Sequence, residues 1–220
     1  MSDRTALLIG ATGLVGGLCL RRLLEGDSYR QVIVLGRKPL AIQHPKLTTH
    51  IVDFARRETF ENLTQADDVF CCIGTTRAQV ASEEAYRKID FDIPIHVAEF
   101  SLQRGATQFL IVSSVGADPR SGVFYSRLKG EIEEALSRMP FNAVHIFRPS
   151  MLLGDRDQSR PMESAIVRVA PLFSWMLAGP LRKYKPIHAS VVAKAMVQAA
   201  RSDVLGTQIY EFDRIQALGA

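Results

Sequence analysis

Cysteine is scarce in this sequence, which limits the ways in which the fold can be stabilised. Three cysteines occur among the 220 residues, and two of them, Cys71 and Cys72, are direct neighbours. Neighbouring cysteines cannot easily close an unstrained bridge, and Cys19 falls within a helical pattern. We therefore expect three buried, reduced thiols and no disulfide framework, as is usual in the cytoplasm.

Long hydrophobic runs are also absent. The longest candidate, 165–181, is interrupted by one arginine and two prolines, which makes it too poor for a membrane span. The first five residues lead straight into a short apolar run, without the cationic start, long apolar stretch and cleavage site of a secretory signal. These absences predict a cytoplasmic protein without a membrane partner.

Charge of one sign is not concentrated in any region. The formal net charge of +4 and the pI near 9.1 invite a nucleic-acid hypothesis, yet the positive residues are spread along the chain. The five histidines and three cysteines form no close metal-ligand cluster. We therefore expect neither a nucleic-acid partner nor a bound metal. The balance of 47% hydrophobic and 23% charged residues is that of an ordinary globular protein and excludes disorder.

Short apolar runs alternate along the chain with amphipathic helical patterns. Most of the runs have too few polar residues for an alternation of polar and apolar positions, which is typical of strands buried on both faces. This order predicts an α/β fold with a doubly wound parallel sheet of about seven strands in a single domain, 1–220. The proline-rich region 154–188 is interpreted as a small C-terminal elaboration that forms a pocket wall or a packing cap. The predicted strands are 6–9, 31–35, 48–52, 68–72, 108–112, 143–147 and 208–212.

The predicted helices begin and end at recognisable signals. The first carries Val15 and Cys19 on one face, and another ends before Gly105. A third spans 122–138 with Ser121 as its cap, and the last spans 191–200 behind Ser190.

A glycine-rich turn between the first strand and the first helix is the strongest local signal. Gly10, Gly13 and Gly16 have the spacing G-x-x-G-x-x-G. Such glycines permit a tight turn, a close approach of the backbone to a pyrophosphate, and close packing of helix on strand. The pattern favours a dinucleotide site over a plain turn of small residues. The predicted cofactor-binding residues here are Gly10, Thr12, Gly13, Leu14, Val15 and Gly16.

The end of the second predicted strand indicates which dinucleotide is bound. An NAD site places an acidic residue there to bind the ribose hydroxyls. This chain has Arg37 and Lys38 instead, which can bind the 2′-phosphate of NADP through a planar fork and a point charge. We therefore favour NADP(H) over NAD(H). The alternative is that both residues belong to a solvated loop.

Tyr125 and Lys129 form the candidate catalytic pair. They are four residues apart and share one face of a predicted helix. An ammonium near a phenol favours the phenolate, and such a tyrosine can pass a proton to a carbonyl oxygen as hydride arrives. Ser113 or Ser114, at the end of the fifth strand, can hold that same oxygen. The alternative is an ordinary exposed helix face.

Taken together, these motifs resemble the short-chain dehydrogenase/reductase superfamily. The glycine triplet, the two serines and Tyr-x-x-x-Lys follow one another in the order typical of that superfamily. Longer strings are similar to the atypical subgroup typified by the Tat-interacting tumour-suppressor protein. They are FCCIGTTR at 70–77, SSVGAD at 113–118, FRPS at 147–150, GDR at 154–156 and SRP at 159–161. The resemblance covers about residues 5 to 200.

The resemblance implies a Rossmann-type domain, an NADP(H) site and a Ser-Tyr-Lys set on Ser113 or Ser114, Tyr125 and Lys129. Lys129 is then also an anchor for the cofactor ribose. Together with the topology, the resemblance suggests three further segments at the cofactor. These are Asp53 and Phe54 beside the adenine, Gly74 and Thr75 along the cofactor, and Arg148 and Pro149 beside the nicotinamide.

Three functions are compatible with this resemblance. The first is an oxidoreductase that transfers hydride between NADP(H) and a small carbonyl or alcohol. The second is a non-catalytic NADP(H)-dependent regulator of a protein partner. It is favoured by Asp90, where standard members place an asparagine, because an aspartate differs in charge and donor capacity. The third and weakest is a nucleotide-sugar epimerase. The subgroup also suggests a monomer.

Overall fold

The computed structural model describes residues 3–75, 82–154 and 179–220, and it contains the predicted doubly wound parallel sheet. The strands of this sheet are β1 (Thr5–Ile9), β2 (Gln31–Gly36), β3 (Leu47–Ile51), β4 (Asp68–Cys71), β5 (Gln108–Val112), β6 (Ala143–Phe147) and β9 (Gly206–Tyr210). A separate parallel pair is formed by β7 (Leu152–Leu153) and β8 (Ile187–His188). Within the described residues, the seven strands of the sheet are parallel and pair in the order β3-β2-β1-β4-β5-β6-β9. The strand order reverses beside β1, so a crevice opens between the ends of β1 and β4.

Helices cover both faces of the sheet, which explains why its central strands are continuously apolar. Along β1, Ala6 and Leu8 pack into one core layer, whereas Leu7 and Ile9 pack into the other. The first layer is completed by α1 (Leu14–Glu25), α5 (Ala189–Ala200) and α6 (Phe212–Gly219), and the second by α3 (Ile93–Gln103) and α4 (Phe124–Ser137). Short 3₁₀ turns occupy Arg57–Thr59, Glu61–Leu63 and Gly179–Tyr184.

A wide π-helical turn interrupts the helix that precedes β5. The helix begins as α2 (Glu83–Arg87), widens over Lys88–Asp92 and continues as α3. In the wide turn, the backbone N–H of Ile93 donates to the carbonyl of Lys88, five residues earlier. Pro94 explains the widening, because it has no N–H for the carbonyl of Asp90 and its ring crowds that carbonyl. This turn carries Asp90 into the interior.

The element boundaries differ from the predictions mainly in the last third of the chain. The predicted strand 208–212 lies two residues earlier in the structure, and Phe212 begins the unpredicted α6. Ser121 does not cap α4: its hydroxyl accepts from the N–H of Val123, and the helix begins at Phe124. Likewise, α5 begins at Ala189, before the predicted Ser190 cap. Most of the predicted elaboration 154–188 lies outside the described residues, and the single-domain boundary stays a prediction.

The cysteines are free thiols. Cys19 and Cys71 are buried, whereas Cys72 is only partly buried, so the prediction of three buried thiols is wrong for Cys72. Burial raises the pKa of the Cys71 thiol to about 12. Over the described ranges, no helix is long and apolar enough to cross a membrane.

Candidate functional site

The glycine-rich turn has the close backbone contacts that its sequence predicts. Gly10 has a φ of +84°, and a Cβ there would lie 2.5 Å from the carbonyl carbon of Cys72, which follows β4. A Cβ on Gly16 would lie 2.1 Å from the carbonyl oxygen of Gly10. Both positions therefore exclude side chains, because the first helix and the ends of β1 and β4 meet here.

The start of α1 has the donors that a pyrophosphate needs. Gly13 is the N-cap residue, so no side chain caps the helix, and the first turn holds no acidic residue. The first backbone N–H groups of a helix have no intrahelical acceptor and carry a partial positive charge. Leu14 and Val15 belong to this turn, while Thr12 lies exposed in the loop before it. The residues present therefore fit the phosphates of a dinucleotide.

Arg37 and Lys38 lie just beyond β2, and both side chains are exposed. Within the described residues, neither forms a hydrogen bond or an ion pair. They lie on the carboxyl edge of the sheet, on the same edge as the glycine turn. These exposed cations at this edge are accessible to a phosphate.

The segment after β3 has one exposed and one buried residue. The Asp53 carboxylate is exposed and accepts from the N–H of Ala55 at 3.0 Å, which closes a turn. The ring of Phe54 is buried against Phe60, with ring centroids 5.4 Å apart. Contact of Phe54 with an adenine would therefore involve its backbone, and the role of both residues stays a prediction.

A buried ion pair joins α4 to the wide turn between α2 and α3. Lys129 Nζ donates to Asp90 Oδ1 at 2.8 Å, and both side chains are almost fully buried. The other carboxylate oxygen of Asp90 accepts from the backbone N–H of Thr75 at 2.9 Å. Burial by itself lowers the pKa of Lys129, but the charge and hydrogen bond of Asp90, together with Tyr125 and Cys71, outweigh it, so this pKa is raised. The ammonium is held charged and its charge is balanced.

Tyr125 lies above this ion pair at the surface. Its side chain is 38% exposed, and Lys129 Nζ lies 5.9 Å from the centroid of its ring. Tyr86 stands edge-on to it with centroids 6.1 Å apart, and the Tyr86 hydroxyl donates to the carbonyl of Thr75 at 2.7 Å. The structure thus brings Tyr125, Lys129 and the loop containing Gly74 and Thr75 together.

The two candidate serines have different surroundings. Ser113 is buried, and its hydroxyl donates to the Glu133 carboxylate. Ser114 is partly exposed, and its hydroxyl lies 3.4 Å from the carbonyl of Val115. The Arg148 side chain also binds Glu133, with Nε 3.1 Å from each carboxylate oxygen.

The loop after β6 lies directly beside the serine loop. The carbonyl of Pro149 accepts from the N–H of Val115 at 3.0 Å. Arg148 and Pro149 therefore border the same end of β5 as the two serines. A contact between their backbone and a nicotinamide stays a prediction.

Sequence reasoning missed Glu133 and Tyr86. A signal for Glu133 was present, because Tyr125, Lys129 and Glu133 follow one another at four-residue spacing along a single helix face. No comparable signal marks Tyr86, whose contact with Thr75 depends on how α2 packs. Across the described part of the chain, no group of three or more histidine, cysteine, aspartate or glutamate residues could hold a metal ion.

Comparison with known proteins identifies relatives of the chain. It is 32% identical over 167 residues to Protein HTATIP2 of Rattus norvegicus, covering 74% of this chain and 69% of that protein. It is 34% identical over 199 residues to Protein fmp52, mitochondrial, of Aspergillus clavatus, covering 87% and 85%. The resemblance to the atypical short-chain subgroup is confirmed by these matches.

Solved structures show the same fold at low sequence identity. One is a UDP-N-acetylglucosamine 4-epimerase from Methanobrevibacter ruminantium M1, with a TM-score of 0.71 and 17% identity. That match covers 96% of this chain and 77% of the epimerase chain. Another is the Bordetella bronchiseptica enzyme WbmH in complex with NAD+, with a TM-score of 0.70, 16% identity and coverages of 95% and 76%.

A family model covers nearly the whole sequence. Residues 6–212 match the NAD dependent epimerase/dehydratase family. This range contains the glycine turn, the Tyr125–Lys129 pair and all of the seven-stranded sheet except Thr5, the first residue of β1. The chain therefore belongs to the NAD-dependent epimerase/dehydratase family, whose Rossmann-type fold it has.

Proposed function

We propose that this protein is an NADP(H)-dependent oxidoreductase that acts on a small carbonyl or alcohol substrate. Its cofactor would be held by the glycine turn and the start of α1, with Arg37 and Lys38 at the 2′-phosphate. A bound nicotinamide supplies or accepts the hydride in such a reaction. Membership of the family supports a nicotinamide cofactor, and the choice of NADP(H) rests on the two exposed cations.

The proposed proton transfer is assigned to Tyr125. Its hydroxyl would protonate the substrate oxygen during reduction and remove that proton during oxidation. Lys129 would stabilise the phenolate from beneath the ring and anchor the cofactor ribose. A serine hydroxyl, from Ser113 or Ser114, would hold the same substrate oxygen.

The observation that supports this proposal is a partly exposed phenol over a buried ammonium, which is paired with a carboxylate at the carboxyl edge of the sheet. Ligands of doubly wound folds bind at that edge, outside the carboxyl ends of the strands. A helix face with a merely structural role would not require a charged lysine to be buried beneath a tyrosine.

The test uses Tyr125→Phe and a fixed set of probes, namely phenanthrenequinone, benzaldehyde and cyclohexanone. Loss of NADPH absorbance measures turnover, and NADPH fluorescence measures binding. The wild-type protein should oxidise NADPH with at least one probe, and the variant should lose at least ~100-fold in kcat because it lacks the proton donor. The affinity for NADPH should stay within about twofold, since the ring remains.

Tyr184→Phe is the matched control. Tyr184 is also an exposed tyrosine, but it lies at the end of a 3₁₀ turn, outside the proposed machinery. Turnover that survives in Tyr125→Phe would remove the acid/base assignment. A wild-type protein that binds NADPH and turns over none of the probes would argue for the second function below.

A non-catalytic NADP(H)-dependent regulator is the second candidate, and Asp90 is the observation that favours it. Its carboxylate already neutralises Lys129 and binds Thr75 in the loop proposed to run along the cofactor. Cofactor binding would therefore be coupled to the position of this loop and, through it, to a protein partner. A nucleotide-sugar epimerase is tested by incubating the protein with UDP-glucose and detecting an epimeric nucleotide sugar by chromatography, because epimerisation consumes no net cofactor.

The cellular location and the oligomeric state complete the proposal. We propose a monomer in the cytoplasm, in keeping with the reduced thiols. The fungal relatives carry the description mitochondrial, so the location needs a direct experiment. Fractionation of cells that express the protein with an epitope tag would test the cytoplasmic location, and recovery in mitochondria would contradict it.

Light scattering of the purified protein would test whether it is a monomer.

A further inference from the structure

A buried cluster of three side chains lies beside the proposed catalytic pair. Ser113 directly follows β5, Glu133 lies one helical turn beyond Lys129 on α4, and Arg148 follows β6. The Ser113 hydroxyl donates to Glu133 Oε1, and the Arg148 guanidinium binds both carboxylate oxygens. Glu133 and Ser113 are buried, and the Arg148 side chain is 20% exposed.

The cluster leaves the Ser113 hydroxyl with no hydrogen for a substrate. A serine hydroxyl has a single hydrogen to donate, and here it is directed to a carboxylate. A charged acceptor forms a stronger hydrogen bond than a neutral carbonyl oxygen does. The Arg148 guanidinium forms an ion pair with the same carboxylate. A substrate carbonyl would have to displace this bond to receive the Ser113 hydrogen.

The Ser114 hydroxyl has one long hydrogen-bond contact within the described residues. Its contact of 3.4 Å with the carbonyl of Val115 is long for a hydroxyl donor. The backbone around it is fixed on both sides. Ser113 N–H donates to the carbonyl of Phe147 at 2.7 Å, and Val115 N–H donates to the carbonyl of Pro149 at 3.0 Å. A weakly bonded hydroxyl on a fixed backbone suits a group that must bind a substrate oxygen.

We propose that Glu133 is a positioning residue that holds Ser113 in the interior and leaves Ser114 as the hydroxyl that binds the substrate oxygen. This assignment rests on the proposed oxidoreductase function. Arg148 balances the charge of Glu133, so one carboxylate joins the ends of β5 and β6 to the helix that carries Tyr125 and Lys129.

The first experiment tests whether Glu133 holds Ser113, and it needs no substrate. Thermal unfolding is measured for Ser113→Ala, Glu133→Gln and the double variant. Ser113→Ala should lower Tm by about 2–4 °C through the lost buried hydrogen bond. The double variant should lose clearly less than the sum of the two single losses, because Ser113→Ala removes the same bond that Glu133→Gln weakens by replacing a charged acceptor with a neutral one. Additive losses would overturn the proposal. If Glu133→Gln does not fold, Glu133→Asp completes the same cycle.

Ser137→Ala is the matched control for this cycle. Its hydroxyl also belongs to α4, but it donates at 2.7 Å to the backbone carbonyl of Glu133 and not to the carboxylate. Its effect on Tm should therefore add to that of Glu133→Gln, and it should leave turnover unchanged.

The second experiment compares kcat for the two serine variants with the three carbonyl probes. Ser114→Ala should lose at least about ten times more kcat than Ser113→Ala, with the KM for NADPH little changed in both. A larger loss in Ser113→Ala would overturn the proposal. A wild-type protein without any turnover would instead overturn the proposed function and the role of Ser114, while the unfolding cycle would still decide whether Glu133 holds Ser113.

Discussion

Among single residues, Asp90 determines the electrostatics of the site. It is the partner of the buried Lys129 ammonium, and its second oxygen fixes the N–H of Thr75. Because Asp90→Asn removes the negative charge but keeps the shape, it leaves a buried ammonium unbalanced. We expect this variant to lose about 3 kcal/mol of unfolding free energy, measured by urea titration.

Glu131→Gln is the control for Asp90→Asn. Glu131 lies on the same helix as Lys129, but its pair with Arg87 is partly exposed to solvent. Breaking this pair should cost less than about 1 kcal/mol. Similar losses in the two variants would mean that the burial of the Asp90–Lys129 pair does not matter.

The preference for NADP(H) over NAD(H) can be tested at Arg37. Its exposed guanidinium has no partner among the described residues, so it can bind a 2′-phosphate through charge-assisted hydrogen bonds. Arg37→Ala should weaken NADPH binding about tenfold, the loss expected for one such bond. NADH lacks the phosphate and should bind almost as before, as calorimetric titration of both cofactors would show.

Arg138→Ala is the matched control for Arg37→Ala. Arg138 is also exposed, but it lies at the end of α4, at the opposite edge of the sheet, where it pairs with Glu134. Arg138→Ala should therefore leave the affinities for NADPH and NADH almost unchanged. Equal losses of NADPH and NADH affinity in Arg37→Ala would contradict the 2′-phosphate assignment.

At the scale of elements, the glycine turn depends on how closely α1 approaches the ends of β1 and β4. In Gly16→Ala, the new Cβ would lie 2.1 Å from the carbonyl oxygen of Gly10, so the helix must move. We expect a loss of about 1–3 kcal/mol in unfolding free energy, as in other overpacked sites. NADPH affinity should fall as well, because the displaced helix start no longer presents its N–H groups correctly.

Gly17→Ala is the control, because it lies in the same helix with more space. A Cβ there would lie 3.3 Å from the carbonyl oxygen of Ala11. The better helix propensity of alanine offsets this mild crowding, so the unfolding free energy should change by less than about 1 kcal/mol. Gly16→Ala and Gly17→Ala variants that behave alike would show that the close contact at Gly16 is not needed.

The central strands could be predicted from the sequence because they are buried on both faces and read as continuous apolar runs. The predicted 108–112 and 143–147 coincide with β5 and β6. The edge strand β9 could not be placed as well, because its residues are mostly exposed and Phe212 extends the apolar pattern. Phe212 instead begins α6, which packs on α5.

The candidate site was predictable only in part, for a physical reason. The Tyr125–Lys129 pair and the glycine turn lie within single local motifs, and local spacing brings their residues together. The bonds from Asp90 to Lys129 and from Ser113 to Glu133 join residues 39 and 20 positions apart. Such bonds depend on how helices pack on the sheet, and the wide turn near Pro94 shifts the helix phase further.

At the scale of the whole molecule, a buried histidine makes stability depend on pH. His145 is fully buried in β6, with Nδ1 2.9 Å from the Tyr210 hydroxyl and Nε2 3.1 Å from Gln108 Oε1. Burial, with a smaller contribution from Arg214, lowers the pKa of His145 from 6.5 to about 4. Below pH 6.5 His145 is therefore protonated in the unfolded chain but stays neutral in the folded protein. Stability is lost as the pH falls towards 4.

His145→Gln isolates this contribution. The difference in unfolding free energy between the wild-type protein and the variant should shrink as the pH falls from 6.5 to 4, by at most about 1.4 kcal/mol per pH unit. The two proteins must be compared at each pH, because the stability of the wild-type protein also depends on Asp68. Burial raises the pKa of Asp68 to about 6, which makes this residue stabilise the folded state as the pH falls, opposite to His145. His188→Gln, which removes an exposed imidazole, is the control. A difference that does not change with pH would contradict the assignment.

The most direct test of the central claim is a crystal structure of the protein with NADP(H) bound. The distance to measure joins the Tyr125 hydroxyl to the nicotinamide carbon that carries the hydride. We predict that one carbonyl group fits between them, with its oxygen about 2.6–3.2 Å from the hydroxyl. Its carbon should lie roughly 3–3.5 Å from the nicotinamide carbon. A fully held cofactor with Tyr125 turned away from it would contradict the oxidoreductase and favour the regulator.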